Sequence, residues 1–335
     1  KGENLLEIKN LKTYFYTNEG VVKAVDGLSY SVRRGEFVGI VGESACGKSV
    51  SAMSILRLIP YPPGVIEGGQ ILFNGEDLLQ ASEDRMRDIR GNRIAMVFQE
   101  PTTSLNPVLT VGRQISESLE LHREMPQEEA QKEAVRLLEL VGIPDAENRV
   151  ANYPHQFSGG MQQRIMIAMA LSCDPDILIA DEPTTSLDVT VQAQVLEVLN
   201  DLRARMGSAV IMITHNLGVV ARYVDRVNVM YAGHLVETGP TETIYDNPKH
   251  PYTIGLLASV PRLDTKRRIA PKVIPGLPPN VAKLPPGCPF APRCDYAMDI
   301  CRTEMPPLEK VGEDHYRACY YPADQLERVK PETKG

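Results

Sequence analysis

At 335 residues the chain is longer than one typical domain and suits a large domain accompanied by a smaller one, or two of middle size. Its 43% hydrophobic and 24% charged residues supply core material for a globular protein, and a net charge of -7 excludes a general nucleic-acid binder with a basic face. No apolar run approaches the roughly 18 residues that cross a bilayer. The opening KGENLLEIKN lacks the apolar stretch of a secretory signal, so the expected compartment is the cytoplasm.

Residues 5–40 read as strands: LLEIKNLKTYFYT, VVKAVDGLSYSV, a turn at Arg33–Glu36, then the apolar FVGIV. That last strand runs into Gly42-Glu43-Ser44-Ala45-Cys46-Gly47-Lys48-Ser49, the G-x-x-x-x-G-K-[ST] phosphate-binding loop. Glycine at the two ends lets consecutive N–H groups curl around a phosphate, and a helix starting near Lys48 adds its positive end. Lys48 then reaches the β- and γ-phosphates, while the Ser49 hydroxyl ligates Mg²⁺. Cys46 needs only its backbone there. An ordinary glycine-rich turn is the competing reading of the string alone.

Downstream, a helix over 48–58 stops before Pro60, and GGQILFNGEDL forms strand, Asn74-Gly75 turn and strand. A charged helix over 82–91 precedes the buried strand RIAMVFQ, which ends at Gln99. EPTTSLNP reads as a loop, and helical spacing over 111–121 and 128–141 marks a helical insertion at about 100–165. The α/β pattern then resumes with helix 161–172, strand 177–180, helix 191–206 and strand 209–214. Strands near 226–231 and 234–237 and a short helix at 241–246 close it. Alternation of this kind implies a mainly parallel sheet with its ligand at the strands' carboxyl ends. Cys173, just before a buried strand, reads as core packing.

Four later stretches narrow the task of the loop. DPDILIADEP sets Asp181 and Glu182 at the end of an apolar strand, where one carboxylate can hold the Mg²⁺ shell and the next can polarise a water. Phe157-Ser158-Gly159-Gly160-Met161 opens a helix with a bare N-terminus. Gln99 and His215 each end a core strand. As single residues, His215 could be a structural histidine and Glu182 a cap.

In this order the motifs resemble those of the ATP-binding subunits of ABC transporters, over residues 1 to about 255. The resemblance implies an α/β P-loop ATPase core with an antiparallel β subdomain, and it makes the chain an ATP hydrolase. It makes Gln99 the glutamine that contacts Mg²⁺ and reports to the membrane subunits, Asp181 the Mg²⁺ aspartate and Glu182 the catalytic glutamate. Asp188 falls in the D-loop, His215 is the switch histidine, and Ser158, Gly159 and Gly160 meet a partner's γ-phosphate. An aromatic near Phe15 stacks on adenine, with Tyr14 and Tyr16 as competing registers. The chain departs from the commonest signature, LSGGQ, in reading FSGGM, but its Ser-Gly-Gly is intact.

Nine prolines between Pro261 and Pro292 exclude regular structure there and set off residues 256–335 as a small irregular domain. It carries Cys288, Cys294, Cys301 and Cys319 at C-x5-C-x6-C-x17-C, a spacing that matches neither a zinc ribbon nor a ferredoxin run. Four thiolates could hold Zn²⁺ or an iron–sulfur cluster; packed free thiols are the bland alternative. The strings NPKHPYT at 247–253 and CPFAPRC at 288–294 resemble the C-terminal extension of dipeptide/oligopeptide importer ATPases. That resemblance implies a structural [4Fe-4S] cluster ahead of zinc, and a peripheral place on the cytoplasmic face of the membrane. It further implies a homologous second ATPase as partner, two membrane-spanning permease subunits, and an extracytoplasmic peptide-binding protein acting indirectly. Rival readings are import of nickel or a small glycan, a soluble ATPase of the same superfamily, and an iron–sulfur redox protein.

Overall fold

The computed structural model describes residues 3–183, 189–259 and 274–326. The chain begins with two long strands, β1 (Asn4–Thr17) and β2 (Gly20–Arg33), joined by two residues and therefore an antiparallel hairpin. β3 (Phe37–Val41) is wholly buried and delivers the glycine-rich loop to α1 (Lys48–Ile55). The helix stops short of residue 58, because Arg57 adopts a positive φ of 53°. β4 (Gly64–Phe73) returns alongside β1, and Asn74-Gly75 turns the chain into the short β5 (Glu76–Asp77).

α2 (Glu83–Ile89) is capped by Ser82, whose hydroxyl accepts the Arg85 N–H. β6 (Ile94–Val97) ends two residues before Gln99, so Phe98 and Gln99 stand outside the strand and exposed. EPTTSLNP is not all loop: Pro101–Ser104 make one helical turn, α3, closed by the Thr103 and Ser104 hydroxyls donating to Glu100 O. The insertion continues with α4 (Val111–Arg123), capped by Thr110, then α5 (Gln127–Leu140), the short α6 (Ala146–Arg149) and α7 (Gly159–Leu171). The apolar faces of α4 and α5 meet each other and α7.

β7 (Ile177–Asp181), α8 (Val189–Met206) and β8 (Ala209–Thr214) follow. Next come α9 (Leu217–Tyr223), β9 (Arg226–Tyr231), β10 (His234–Pro240), α10 (Thr241–Asp246) and α11 (Pro251–Ala258). In the extension, α12 (Ile300–Thr303) precedes a hairpin of β11 (Glu309–Gly312) and β12 (His315–Arg317). This extension is therefore not irregular throughout, since β12 pairs antiparallel with β10. α9, α11 and the hairpin go beyond the elements expected from sequence.

The described residues form two compact units, each drawn from separate stretches of chain. The first lies within Lys1–Leu6, Val32–Phe37 and Phe73–Ile213. There β6, β7 and β8 run parallel, Ile94 beside Ile177 and Ile177 beside Ala209, and β7 and β8 are buried from end to end. Continuous apolar runs of this kind are what a sheet covered on both faces demands. The second unit lies within Glu7–Ser31, Val38–Leu72 and Thr214–Gly335. In it β3 runs parallel to β9, and β9, β10, β12 and β11 follow as antiparallel neighbours. The fold is thus α/β, with parallel and antiparallel strands both present.

Candidate functional site

In the second unit, Gly42–Ser49 joins β3 to α1 with the torsions a phosphate cradle requires. Gly42 has φ 153°, and a Cβ there would stand 2.2 Å from Met230 O. Gly47 has φ 96°, and its Cβ would stand 2.1 Å from Ala24 O. Both positions exclude any side chain on sterics as well as torsion. Cys46 O accepts the Gly233 N–H at 3.0 Å, fastening the loop to the β9–β10 turn.

Lys48 is only 5% exposed, and its Nζ donates to Gly42 O and Glu43 O, both at 2.9 Å. The ammonium is thus held in the concavity of the loop, ringed by main-chain groups. Burial pushes the Cys46 thiol up from its ordinary range, against the opposing pull of Lys48. Cys46 is a packed thiol, and its side chain is not set up as a nucleophile. Of the three neighbouring aromatics, the Tyr14 hydroxyl donates to Asp26 at 2.7 Å and the Tyr16 hydroxyl to Glu67 at 2.6 Å. Phe15 lies half-buried beside Gly64. His215 follows β8 and is exposed.

In the first unit, Asp181 closes β7 at 5% exposure, and Glu182 stands one residue beyond. Glu182 has φ 45°, a left-handed conformation costing a non-glycine residue roughly 1–2 kcal/mol. Two contacts hold it there. Its N–H donates to Ile213 O at 2.9 Å, and its carboxylate accepts Gln99 Nε2 at 3.0 Å. The glutamine and the glutamate singled out separately in sequence are therefore directly bonded.

Ser158 caps α7 through its hydroxyl, which accepts the Met161 N–H at 3.4 Å, and Ser158 and Gly159 are exposed. Gln162 Nε2 ties the helix start to Pro154 O and Phe157 O. Met161 turns its sulfur to Arg149 Nη1 at 3.8 Å. Asp188 lies outside the described residues.

The four cysteines of the extension line one small apolar pocket with Phe290, Pro306 and Tyr320, enclosing about 10 Å³. All are free thiols. Burial pushes Cys288 up to about 11 and Cys294 up to about 12, and raises Cys319. A set of four thiols is the donor chemistry of zinc and iron–sulfur centres. As placed, however, no group of three or more His, Cys, Asp or Glu side chains among the described residues is disposed to hold a metal ion. Cys173 is buried at 4% exposure, as core packing requires.

Sequence reasoning missed Tyr231, Tyr252 and Arg293. Two of them bind Glu43 inside the phosphate loop and the third braces Arg293: Tyr252 Oη accepts the Glu43 N–H at 2.7 Å, and Arg293 grips its carboxylate while donating to Tyr231 Oη. The Arg293 bond joins residues 250 apart, and no local string announces such a pair.

Comparison with known proteins places these features. The family model described as "ABC transporter" matches residues 25–185, and that described as "Oligopeptide/dipeptide transporter, C-terminal region" matches residues 236–301. A dimeric ATP-binding cassette solved in a post-hydrolysis state with ADP and Pi superposes with a TM-score of 0.64 at 27% identity, covering 70% of this chain and 98% of that one. Fold and loop together define an ABC-type ATPase, the ATP-hydrolysing subunit of a transporter.

Among curated proteins, a probable peptide ABC transporter ATP-binding protein of Sinorhizobium fredii is 51% identical over 96% of each chain. The oligopeptide transport ATP-binding protein OppD of Bacillus subtilis is 50% identical over 98% of this chain and 91% of its own. OppD of Escherichia coli is 49% identical over 97% and 96%. The chain belongs to the ABC transporter ATP-binding proteins, in the group that carries the oligopeptide/dipeptide C-terminal region. No helix among the described residues is long and apolar enough to cross a membrane.

Proposed function

We propose that the chain powers the import of dipeptides or oligopeptides. The reading rests on identity near 50% to proteins named for peptide and oligopeptide transport, sustained through the cysteine-bearing extension as well as the ATPase. Residues 1–255 form the ATPase and 256–335 the extension in this reading. The protein works peripherally on the cytoplasmic face, bound to two membrane-spanning permease subunits and a homologous second ATPase.

The residues divide the chemistry as follows. The loop's N–H groups and Lys48 cradle the β- and γ-phosphates, and Phe15, whose neighbours Tyr14 and Tyr16 have committed hydroxyls, takes the adenine. Ser49, Asp181 and Gln99 offer hard oxygen ligands suited to Mg²⁺, which when bound neutralises phosphate charge. Gln99 turns its amide donor to Glu182, so its carbonyl end is what it offers a cation. Glu182, anchored on both sides, accepts a proton from the attacking water, and His215 assists at the γ-phosphate. Asp188 keeps the D-loop assignment that the resemblance gives it.

Ser158, Gly159 and Gly160 serve the nucleotide of the partner ATPase, and closure of the pair drives the permease. The four thiols are the donors that a soft metal centre of structural role would take, a [4Fe-4S] cluster ahead of zinc by the resemblance, although as placed they form no metal site. Iron and acid-labile sulfide assays on anaerobically purified protein test this; zinc alone, or neither element, contradicts the cluster.

The cargo is tested with the assembled transporter in vesicles. Peptide-loaded binding protein is expected to stimulate ATP hydrolysis, whereas stimulation by nickel or a glycan and none by peptide would overturn the reading.

A further inference from the structure

Glu43, the first variable position of the phosphate loop, has all three of its polar groups engaged. Its N–H is held by Tyr252 and its carbonyl accepts Lys48 Nζ at 2.9 Å. Its carboxylate is gripped from both oxygens by Arg293, with Nη1 to Oε2 at 2.6 Å and Nη2 to Oε1 at 3.0 Å. A two-pronged fork of this kind fixes orientation as well as charge. Arg293 is itself fully committed. Its Nη1 donates to Tyr231 Oη at 3.3 Å, Nε to Pro275 O at 2.9 Å and Nη2 to Gly276 O at 3.4 Å. The two side chains are only 7% and 24% exposed, so solvent offers little replacement for the lost partner.

Arg293 belongs to the cysteine segment. It ends the turn Ala291–Arg293 between Cys288 and Cys294, and its neighbour Phe290 packs on Tyr231 and Tyr252 at ring distances of 5.2 and 5.3 Å. Cys288 N–H donates to Cys301 O at 2.8 Å, closing the same segment. An uninterrupted path therefore runs from the thiol pocket through Arg293 to Glu43, and from the Glu43 carbonyl to Lys48.

We propose that Arg293 is a positioning residue of the nucleotide site: by fixing Glu43 it sets where Lys48 is held, so that the cysteine-bearing extension supports ATP binding in its own chain. This rests on the reading of Gly42–Ser49 as the ATP loop. A surface decoration would have no reason to send a buried guanidinium into that loop.

The test measures the dissociation constant for Mg·ATP with the full chain carrying Arg293→Ala, Glu43→Ala, both together, or Lys48→Ala. Each of the first two is expected to weaken ATP about tenfold, equivalent to about 1.4 kcal/mol. The double variant is expected to be no worse than either single one, since both remove one interaction. Glu43→Ala leaves the cysteine segment's own bonds in place and guards against misfolding of Arg293→Ala. If Arg293→Ala and Glu43→Ala both bind ATP within twofold of wild type while Lys48→Ala loses it, the inference falls and the ATP loop stands. If the two losses add, Arg293 acts by a separate, merely structural route and the inference also falls. If Lys48→Ala binds as tightly as wild type, the reading of the loop itself has failed.

Discussion

The phosphate loop and the cysteine extension solve the same problem, holding functional atoms still, by opposite means. The loop does it with backbone. Gly42 and Gly47 adopt torsions closed to other residues, main-chain carbonyls surround Lys48, and all of these groups fall within eight consecutive residues. The extension does it with side chains collected from far apart. Four thiols spread over 32 positions line its pocket, and it is fastened by Glu237, Arg293 and Arg317. Backbone solutions leave a compact signature in sequence; side-chain solutions do not.

The largest effect that would break this contrast comes from the loop. Gly42→Ala or Gly47→Ala places a methyl against a main-chain carbonyl at 2.2 or 2.1 Å. Backbone cannot yield as a flexible side chain can, so ATP binding should fall by roughly a hundredfold or more, about 3 kcal/mol on the scale of strained substitutions. Retained affinity in a filter-binding or calorimetric assay would show that the loop does not depend on these torsions.

The extension's counterpart is Glu237, which is fully buried. Its carboxylate accepts the Lys249 N–H at 2.5 Å and the His250 N–H at 3.0 Å, and meets His315 Nε2 at 2.8 Å. It thereby ties β10 both to the start of α11 and to β12. Glu237→Ala leaves those groups buried without a partner and should cost about 3–5 kcal/mol, read as a lower Tm and faster labelling of the four thiols. Unchanged thiol reactivity would mean that the extension is held elsewhere.

A smaller, pH-dependent effect belongs to His250. Burial pushes its pKa from the ordinary 6.5 down to about 3, with Arg317 acting in the same direction. Its Nδ1 accepts the Tyr252 N–H, which a neutral ring can do. The unfolded chain therefore takes up a proton that the folded one refuses. Stability from His250 is complete above about pH 6.5 and drains as the pH falls towards 3. Replacing His250 with Asn should flatten that part of the profile in denaturant melts at pH 7 and 4.5; an unchanged slope would assign it to other groups.

The same contrast explains what could be read in advance. The loop, the strands around it and the helices α4 and α5 were legible because each is a local pattern: fixed spacing, a continuous apolar run, or a helical period. Asp181 and Glu182 were legible at the end of such a run. The bond between Gln99 and Glu182 was not, because β6 stops two residues early and releases Gln99 towards it.

The hairpin β11–β12 escaped because His315 and Arg317 point inward, buried at 2% and 3% exposure. In sequence EKVGEDHYR looks like solvated surface. The partners, Glu237 for His315 and Glu309 with Lys249 O for Arg317, offset the cost of those inward polar positions. Arg293 escaped for the same reason, its partner lying in the loop at the other end of the chain.

In the function proposed above, Gly42–Ser49 holds ATP and Glu182 helps to hydrolyse it. The most direct measurement is ATP binding and turnover by Glu182→Gln in the assembled transporter. Binding should be preserved while hydrolysis falls by on the order of 10²–10⁴, the usual contribution of a general base. Turnover near that of the wild type would contradict the account.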